Sequence, residues 1–363
     1  MTEAQDPRPT ESAAPPASSG RWRRWLRWIV KALGLFVLAV VLLGITTWAM
    51  LALYYADLSG GGTPRRVTTA IFAIVAIATV IFVRPRRYGV AILLLMFGAV
   101  LTWFLLLKPS NTRDWLPDVA EVVSVEITGD RMTVHNVRNF DYRSETDYTP
   151  RWEDRTYDLN TIRGVDLMLV YWGSPSIAHA MVSFEFEGDQ HLAVSIETRK
   201  EKSESYSAVQ GFFRQYELYY VFADERDVVR VRTHFRNEDV YLYHTNVSPA
   251  HAKALLLTYA QHANALAKRP QFYNALTSNC ATNVVAHLRE SNPSTLARVN
   301  WEILLSGHAA RRAYRNGRLD TSMPFDELQA RSHINAAARA ADNDPNFAKA
   351  IRIGLPRPAD AAR

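Results

Sequence analysis

Cysteine is nearly absent from this sequence: its 363 residues contain one, Cys280. A lone thiol forms no disulfide within the chain and builds no cysteine-rich zinc site, so any role it has is that of a thiol. Charge is missing as well, in blocks. Ala32–Tyr55, Val67–Val83 and Tyr88–Leu107 carry no charged side chain. A membrane-spanning helix needs roughly 17 to 25 mostly apolar residues. Three such runs packed so closely leave almost nothing to bury them as core helices, so 28–107 is expected to form three transmembrane helices. The first run exceeds the roughly 7–15 apolar residues of a signal peptide, and two more follow it. It therefore reads as an uncleaved anchor.

Acidic residues are absent from "RWRRWLRWIVK", which holds Arg21, Arg23, Arg24, Arg27 and Lys31, and the turn "RPRR" adds Arg84, Arg86 and Arg87. Short loops rich in Lys and Arg stay on the cytoplasmic side. The N-terminus is thus expected inside and everything beyond Lys108 outside, giving a multi-pass inner-membrane protein with a periplasmic domain in a Gram-negative cell. Residues 1–27, rich in Pro, Ser and Ala and then basic, read as a disordered cytoplasmic tail. The Trp residues among these arginines, set against a span, point to a membrane interface and exclude nucleic acid as the partner.

The segment 118–363 is long enough for one domain with its own core. "EVVSVEITGDRMTVHNVRNFDYR" alternates apolar and polar residues around Gly129-Asp130, a hairpin pattern. "GVDLMLVYW" reads as a buried strand, and "IAHAMVSFEFEGDQHLAVSIETRK" as a second hairpin. Helices follow. Ser248 and Pro249 supply a cap and a first helical position, and Pro270 closes that segment. A second helix is expected from about Cys280 to Glu290, and amphipathic helices over 300–317 and 323–342. No internal repeat is present. The fold class is α+β, a strand-rich block followed by helices.

Cys280 follows "TSN", which are capping residues, and so falls in the first turn of its helix. There the dipole and free N–H groups favour a thiolate, and the same N–H groups can bind an oxyanion. The bland alternative is a small buried hydrophobe. A thiol nucleophile needs a base, usually His, oriented by a third group. His287 is two turns along the same helix, about 10 Å away and too far. A solvated face explains His251 and His262. His179 opens the apolar strand "HAMVSFEF", where a polar ring is costly without a partner. If that strand pairs with 191–198 about Gly188-Asp189, His179 lies opposite Thr198; an odd-length loop places it opposite Glu197, with Ser195 next. His191 sits at the turn, ~20 Å from His179 along the strand. His244 and His251 are spaced too loosely for a metal, and no cofactor or metal is expected.

These stretches, "IAHAMVSFEF…LAVSIETRK" and "FYNALTSNCATN", resemble the Lnb N-terminal periplasmic domain family over roughly residues 165–290. A strand His followed later by "NC" opening a helix is also similar to the circularly permuted papain-like fold of lecithin:retinol acyltransferase and permuted NlpC-type proteins. The resemblance implies Cys280 as nucleophile and His179 as base; the strand register adds Glu197 as the orienting group, and Ser195 and Asn279 are expected as oxyanion or supporting groups. It further implies N-acylation of a lipoprotein, with membrane phospholipid as acyl donor and a thioester intermediate. A three-span anchor holding the thiol beside a bilayer suits that chemistry. The membrane segment here is N-terminal and short, and no second helical domain is evident. Two alternatives remain open: an amidase or cysteine peptidase acting on peptidoglycan or peptides, and a non-catalytic periplasmic scaffold.

Overall fold

A computed structural model describes residues 19–56, 62–292 and 305–359. The chain divides into a helical unit (Met1–Tyr54 with Leu58–Leu105) and a larger unit (Tyr55–Asp57 with Leu106–Arg363). The first contains α1 (Ser19–Tyr55), α2 (Gly62–Phe82) and α3 (Arg86–Leu106). All three are long and apolar enough to cross a membrane. Trp48 meets the rings of Phe97 and Phe104 edge-on, with centroids 5.7 and 5.1 Å away. Ala49 and Ala52 are buried beside it, small side chains of the kind that let membrane helices approach.

One boundary is corrected. Residues 19–27, expected to be tail, are the first turns of α1, because no helix breaker follows Gly20 before the apolar run. At 37 residues α1 is ~55 Å long, well beyond the ~30 Å of a bilayer core, so its basic start extends past the apolar span. The remainder of the expected tail, residues 1–18, lies outside the described residues, as do 293–304, which include the start of the helix expected over 300–317.

The larger unit is built on an eight-stranded sheet with the order β1-β2-β9-β8-β7-β6-β10, to which β5 adds by pairing with β2. Its strands are β1 (Ser124–Thr128), β2 (Arg131–Arg138), β5 (Trp152–Asp158), β6 (Ile162–Tyr171), β7 (Ala178–Phe186), β8 (His191–Arg199), β9 (Glu217–Ala223) and β10 (Asp239–His244). A two-stranded ribbon, β3 (Asp141–Tyr142) and β4 (Tyr148–Thr149), stands apart. The stretch 135–158, rich in aromatic and charged residues, therefore extends the sheet through β5. Both expected hairpins form, turning at Gly129 (φ 62°) and Gly188 (φ 73°), where a side chain would be strained.

Strand residues alternate between two faces. Val182, Phe184, Phe186, Val194, Ile196, Tyr220 and Phe222 pack against α5 (Pro249–Lys268) and α6 (Cys280–Ser291) through Leu255, Leu256, Tyr259 and Val284. On the opposite face Met181, Ala193, Tyr219 and Val221 meet α4 (Glu225–Arg230), and also Ile334, Ala338 and Phe347 of the C-terminal segment. That segment forms short helices, α7 (Ala309–Arg315), α8 (Phe325–Arg331), α9 (Asn335–Ala340) and α10 (Phe347–Ala350).

Just beyond α10, Arg352 reaches into the second face. Its Nε donates to Asp166 (2.9 Å) and its Nη1 to Glu225 (2.6 Å), while His244 Nδ1 lies 2.8 Å from the other Asp166 oxygen. All four groups are buried. Burial alone disfavours the Asp166 charge, yet Arg352 and His244 hold its carboxyl down at about 2. Replacing Arg352 by Met leaves two buried carboxylates without their cation. The expected loss is about 3–5 kcal/mol, measurable as a lowered thermal midpoint of the full chain in detergent. A change near zero would show that the network is not load-sharing.

Candidate functional site

The site begins where the sheet forks. Pairing of β7 with β8 runs from Glu185↔His191 to Met181↔Ser195 and stops. Beyond that point β7 stays paired with β6 as far as Tyr171↔Ala178, and β8 with β9 as far as Arg199↔Glu217. The two strands thus part at one end of the sheet. At this fork the backbone amides of Ala180, Ala281 and Cys280 itself favour the anionic form of the Cys280 thiol. The last two are free because the first residues of a helix have no carbonyl four positions back.

Local chemistry starts α6 at this cysteine. Asn279 caps it: its Oδ1 accepts from Thr282 N (2.9 Å), and Thr282 Oγ1 accepts from Asn279 N (2.9 Å), a reciprocal capping box. The Asn279 Nδ2 donates to Ala275 O (2.8 Å), so this side chain is fully used in support of the helix start. The approach to Cys280 is pinned as well. Leu218 N donates to Gln271 O (2.8 Å), Tyr273 N to Tyr216 O (2.9 Å) and Ala275 N to Gly211 O (3.2 Å). A Cβ on Gly211 would stand 3.3 Å from that of Ala275 and 3.4 Å from the Tyr273 ring. Glycine permits this close approach.

His179 shares the parity of Met181 and therefore the α4 face of the sheet. Its Nε2 lies 2.7 Å from Ser195 Oγ, which donates to Glu197 Oε1 at 2.9 Å; His179 Nε2 and that oxygen are 3.8 Å apart. Extending the register two residues past Met181↔Ser195 sets His179 opposite Glu197, the odd-loop alternative. Because Ser195 has one hydroxyl proton and gives it to the carboxylate, it must accept from His179. The ring is then the Nε2–H tautomer with a free lone pair on Nδ1. Glu197 is fixed in turn by Arg232, whose Nη2 donates to Oε1 at 2.9 Å. Arg232 lies in a π-helical turn, Val231–Phe235, immediately after α4. Such turns recur at functional sites, but nothing in "VVRVRTHFRN" sets this arginine apart from its neighbours.

Electrostatics follow from this layout. Burial, then the nearby Arg232, lower His179 to about 4 against the partial support of Glu197. Burial opposes the Glu197 charge too, but Arg232, Arg138 and His179 hold its carboxyl well below the usual range. Cys280 is raised above its ordinary value by burial and by the Glu197 charge, while the three amides pull the other way. At neutral pH the site holds a neutral imidazole and a protonated thiol. Among the described residues no hydrogen bond joins them; the Ala180 amide that acts on the thiol belongs to the residue next to His179 in β7, whose side chain lies on the other face. Tyr206, Tyr259 and Tyr273 lie within electrostatic reach of the thiol.

Other histidines are placed elsewhere. His191 turns its Nδ1 to Asp189 O (3.0 Å), His251 caps with Ser248 (2.9 Å), and His287 meets Tyr220 (2.6 Å).

Residues 148–307 match the family of the Lnb N-terminal periplasmic domain, a stretch that contains His179, Ser195, Glu197 and Cys280. No curated protein and no solved structure matches the chain.

Two outcomes are expected in solution. Alkylation of Cys280 should keep accelerating as pH passes the ordinary thiol range; a plateau near pH 6 would instead reveal a preformed thiolate–imidazolium pair. His179, lowered from 6.5 to about 4, binds its proton in the unfolded chain first. Its share of stability is therefore complete above pH 6.5 and lost as pH falls toward 4. Urea midpoints across that window should drop less steeply in His179→Gln than in the wild type.

Proposed function

Residues 148–307 belong to the Lnb N-terminal periplasmic domain family, and from that premise we propose that this membrane protein is a thiol acyltransferase with Cys280 as nucleophile. The observation that carries the reading is that α6 starts at Cys280, where the amides of Ala180, Ala281 and Cys280 itself favour a thiolate, Ala180 being the residue after His179 at the end of the β7–β8 pairing. In the first step the sulfur attacks an ester carbonyl of a membrane phospholipid. His179 Nδ1 takes the thiol proton, and the amides of Ala281 and Cys280 stabilise the oxyanion. The C–O bond breaks, the lysolipid alcohol leaves with the proton, and an acyl-thioester remains on Cys280. In the second step an amine, such as the amino terminus of a lipoprotein, attacks the thioester. It gives its proton to the imidazole, and the thiol is restored with release of an amide.

Ser195 and Glu197 act as positioning residues. They hold the imidazole in one tautomer, and Arg232 keeps Glu197 ionised. This pairing of neutral groups suits a nucleophile that is activated only when substrate arrives. The surroundings favour an acyl chain over a peptide. Tyr206, Val209, Phe212 and Leu276 are all about half exposed, and the Ala275–Gly211 hydrogen bond brings their two loops together. This leaves apolar side chains on the loops that flank the thiol, and the three helices suited to crossing a membrane tether the domain to its lipid source.

The test is intact-mass analysis of the full chain after incubation with phospholipid vesicles. A hydroxylamine-labile acyl adduct is expected on the wild type and not on Cys280→Ala. His179→Ala should slow adduct formation by roughly 10²–10⁴-fold, and Ser195→Ala by less. Absence of an adduct, together with cleavage of peptidoglycan fragments by the wild type, would replace this reading with an amidase acting through the same pair.

A further inference from the structure

Two clusters of metal-ligating side chains occur among the described residues, Asp166–Glu185–His244 and His262–His287–Glu290. The first already holds a cation. Arg352 bonds both Asp166 and Glu225 there, so an incoming ion would meet a resident guanidinium. The second holds none. His262 projects from the middle of α5, and His287 and Glu290 stand three apart on α6, a spacing that puts them on one helix face. One ligating atom of each lies within 4.8 Å of the others.

His287 is the informative member. It is 1% exposed, yet its Nδ1 has no hydrogen-bond partner, a costly arrangement for a buried polar atom. Its Nε2 is engaged at 2.6 Å by the Tyr220 hydroxyl. This is how metal-binding histidines are held: one ring nitrogen is fixed by an outer partner and the other left for the ion. The rings of His262 and His287 are 4.3 Å apart. His262 Nε2 also faces Glu290 at 2.8 Å, and both of these side chains are 40% or more exposed, which leaves an entry path from solvent.

We propose that His262, His287 and Glu290 form a binding site for a divalent transition ion. Two imidazoles and one carboxylate suit Zn²⁺, with water as the fourth ligand. Binding replaces the His262–Glu290 hydrogen bond with two metal bonds and clamps α5 to the helix that carries Cys280. The site is separate from the proposed catalytic pair and does not rest on it.

The experiment uses the full chain in detergent, loaded with Zn²⁺, desalted and assayed for metal, with Co²⁺ as a spectroscopic probe. Wild type should retain about one ion per chain more than His262→Ala or Glu290→Gln, both surface changes that leave the core intact. Bound Co²⁺ should show the intense visible absorption of a tetrahedral site, absent in His262→Ala. Tyr220→Phe, which removes only the outer hydroxyl, should weaken Zn²⁺ binding roughly 10-fold. Equal metal retention in wild type and His262→Ala, or a Co²⁺ spectrum indifferent to that change, would overturn the proposal.

Discussion

The parting of β7 from β8 is the constraint on which the rest of the site depends. The ladder ends at Met181↔Ser195, and the Ala180 amide just beyond it acts on the thiol at the start of α6. Ala180 itself is held in place by the pairing of β7 with β6, which continues to Tyr171↔Ala178. A donor held by strands moves less than one on a side chain, which is the condition for electrostatic preorganisation. The helix supplies the other two donors simply by beginning at Cys280. Thus the groups that favour charge on the sulfur come from the backbone.

Those side chains are arranged in series across the other face. Arg232 holds Glu197, Glu197 receives the Ser195 proton, and Ser195 accepts from His179. Each link determines the donor sense of the next, so a charge at one end selects a tautomer at the other. The cost is burial of a charged pair, acceptable only because every member is hydrogen-bonded. The arrangement also explains why the thiol rests protonated. Burial raises it most, and the Glu197 carboxylate further disfavours a second negative charge nearby.

Much of this was readable in the sequence where the signal was local. Alternation around Gly129-Asp130 and "EGDQ" marks two hairpins, Ser248-Pro249 opens α5, and Asn279 caps α6 three residues before Thr282. What was not local was not readable. Whether His179 faces Thr198 or Glu197 turns on one residue of loop length, since a slip of one reverses the facing of a strand. Gly188 and Asp189 both adopt positive φ, and the turn proves wider than two residues. Arg232 comes from a π turn on a different element, and its partner is 35 positions away. The cluster of His262 with His287 and Glu290 was hidden for the same reason: only the packing of α5 on α6 brings it together.

Arg352 has a further consequence for how this protein is made. Asp166 and Glu225 lie in the strand-rich part of the chain, and the guanidinium that neutralises them arrives 186 and 127 residues later. Until then the sheet carries two acids on a face meant to be covered, and α9 and α10 are not yet in place. Contacts so distant in sequence form late. The domain therefore depends on its C-terminal segment to neutralise a face built much earlier in the chain. That face of the sheet is finished only once Arg352 and the segment around it are in place.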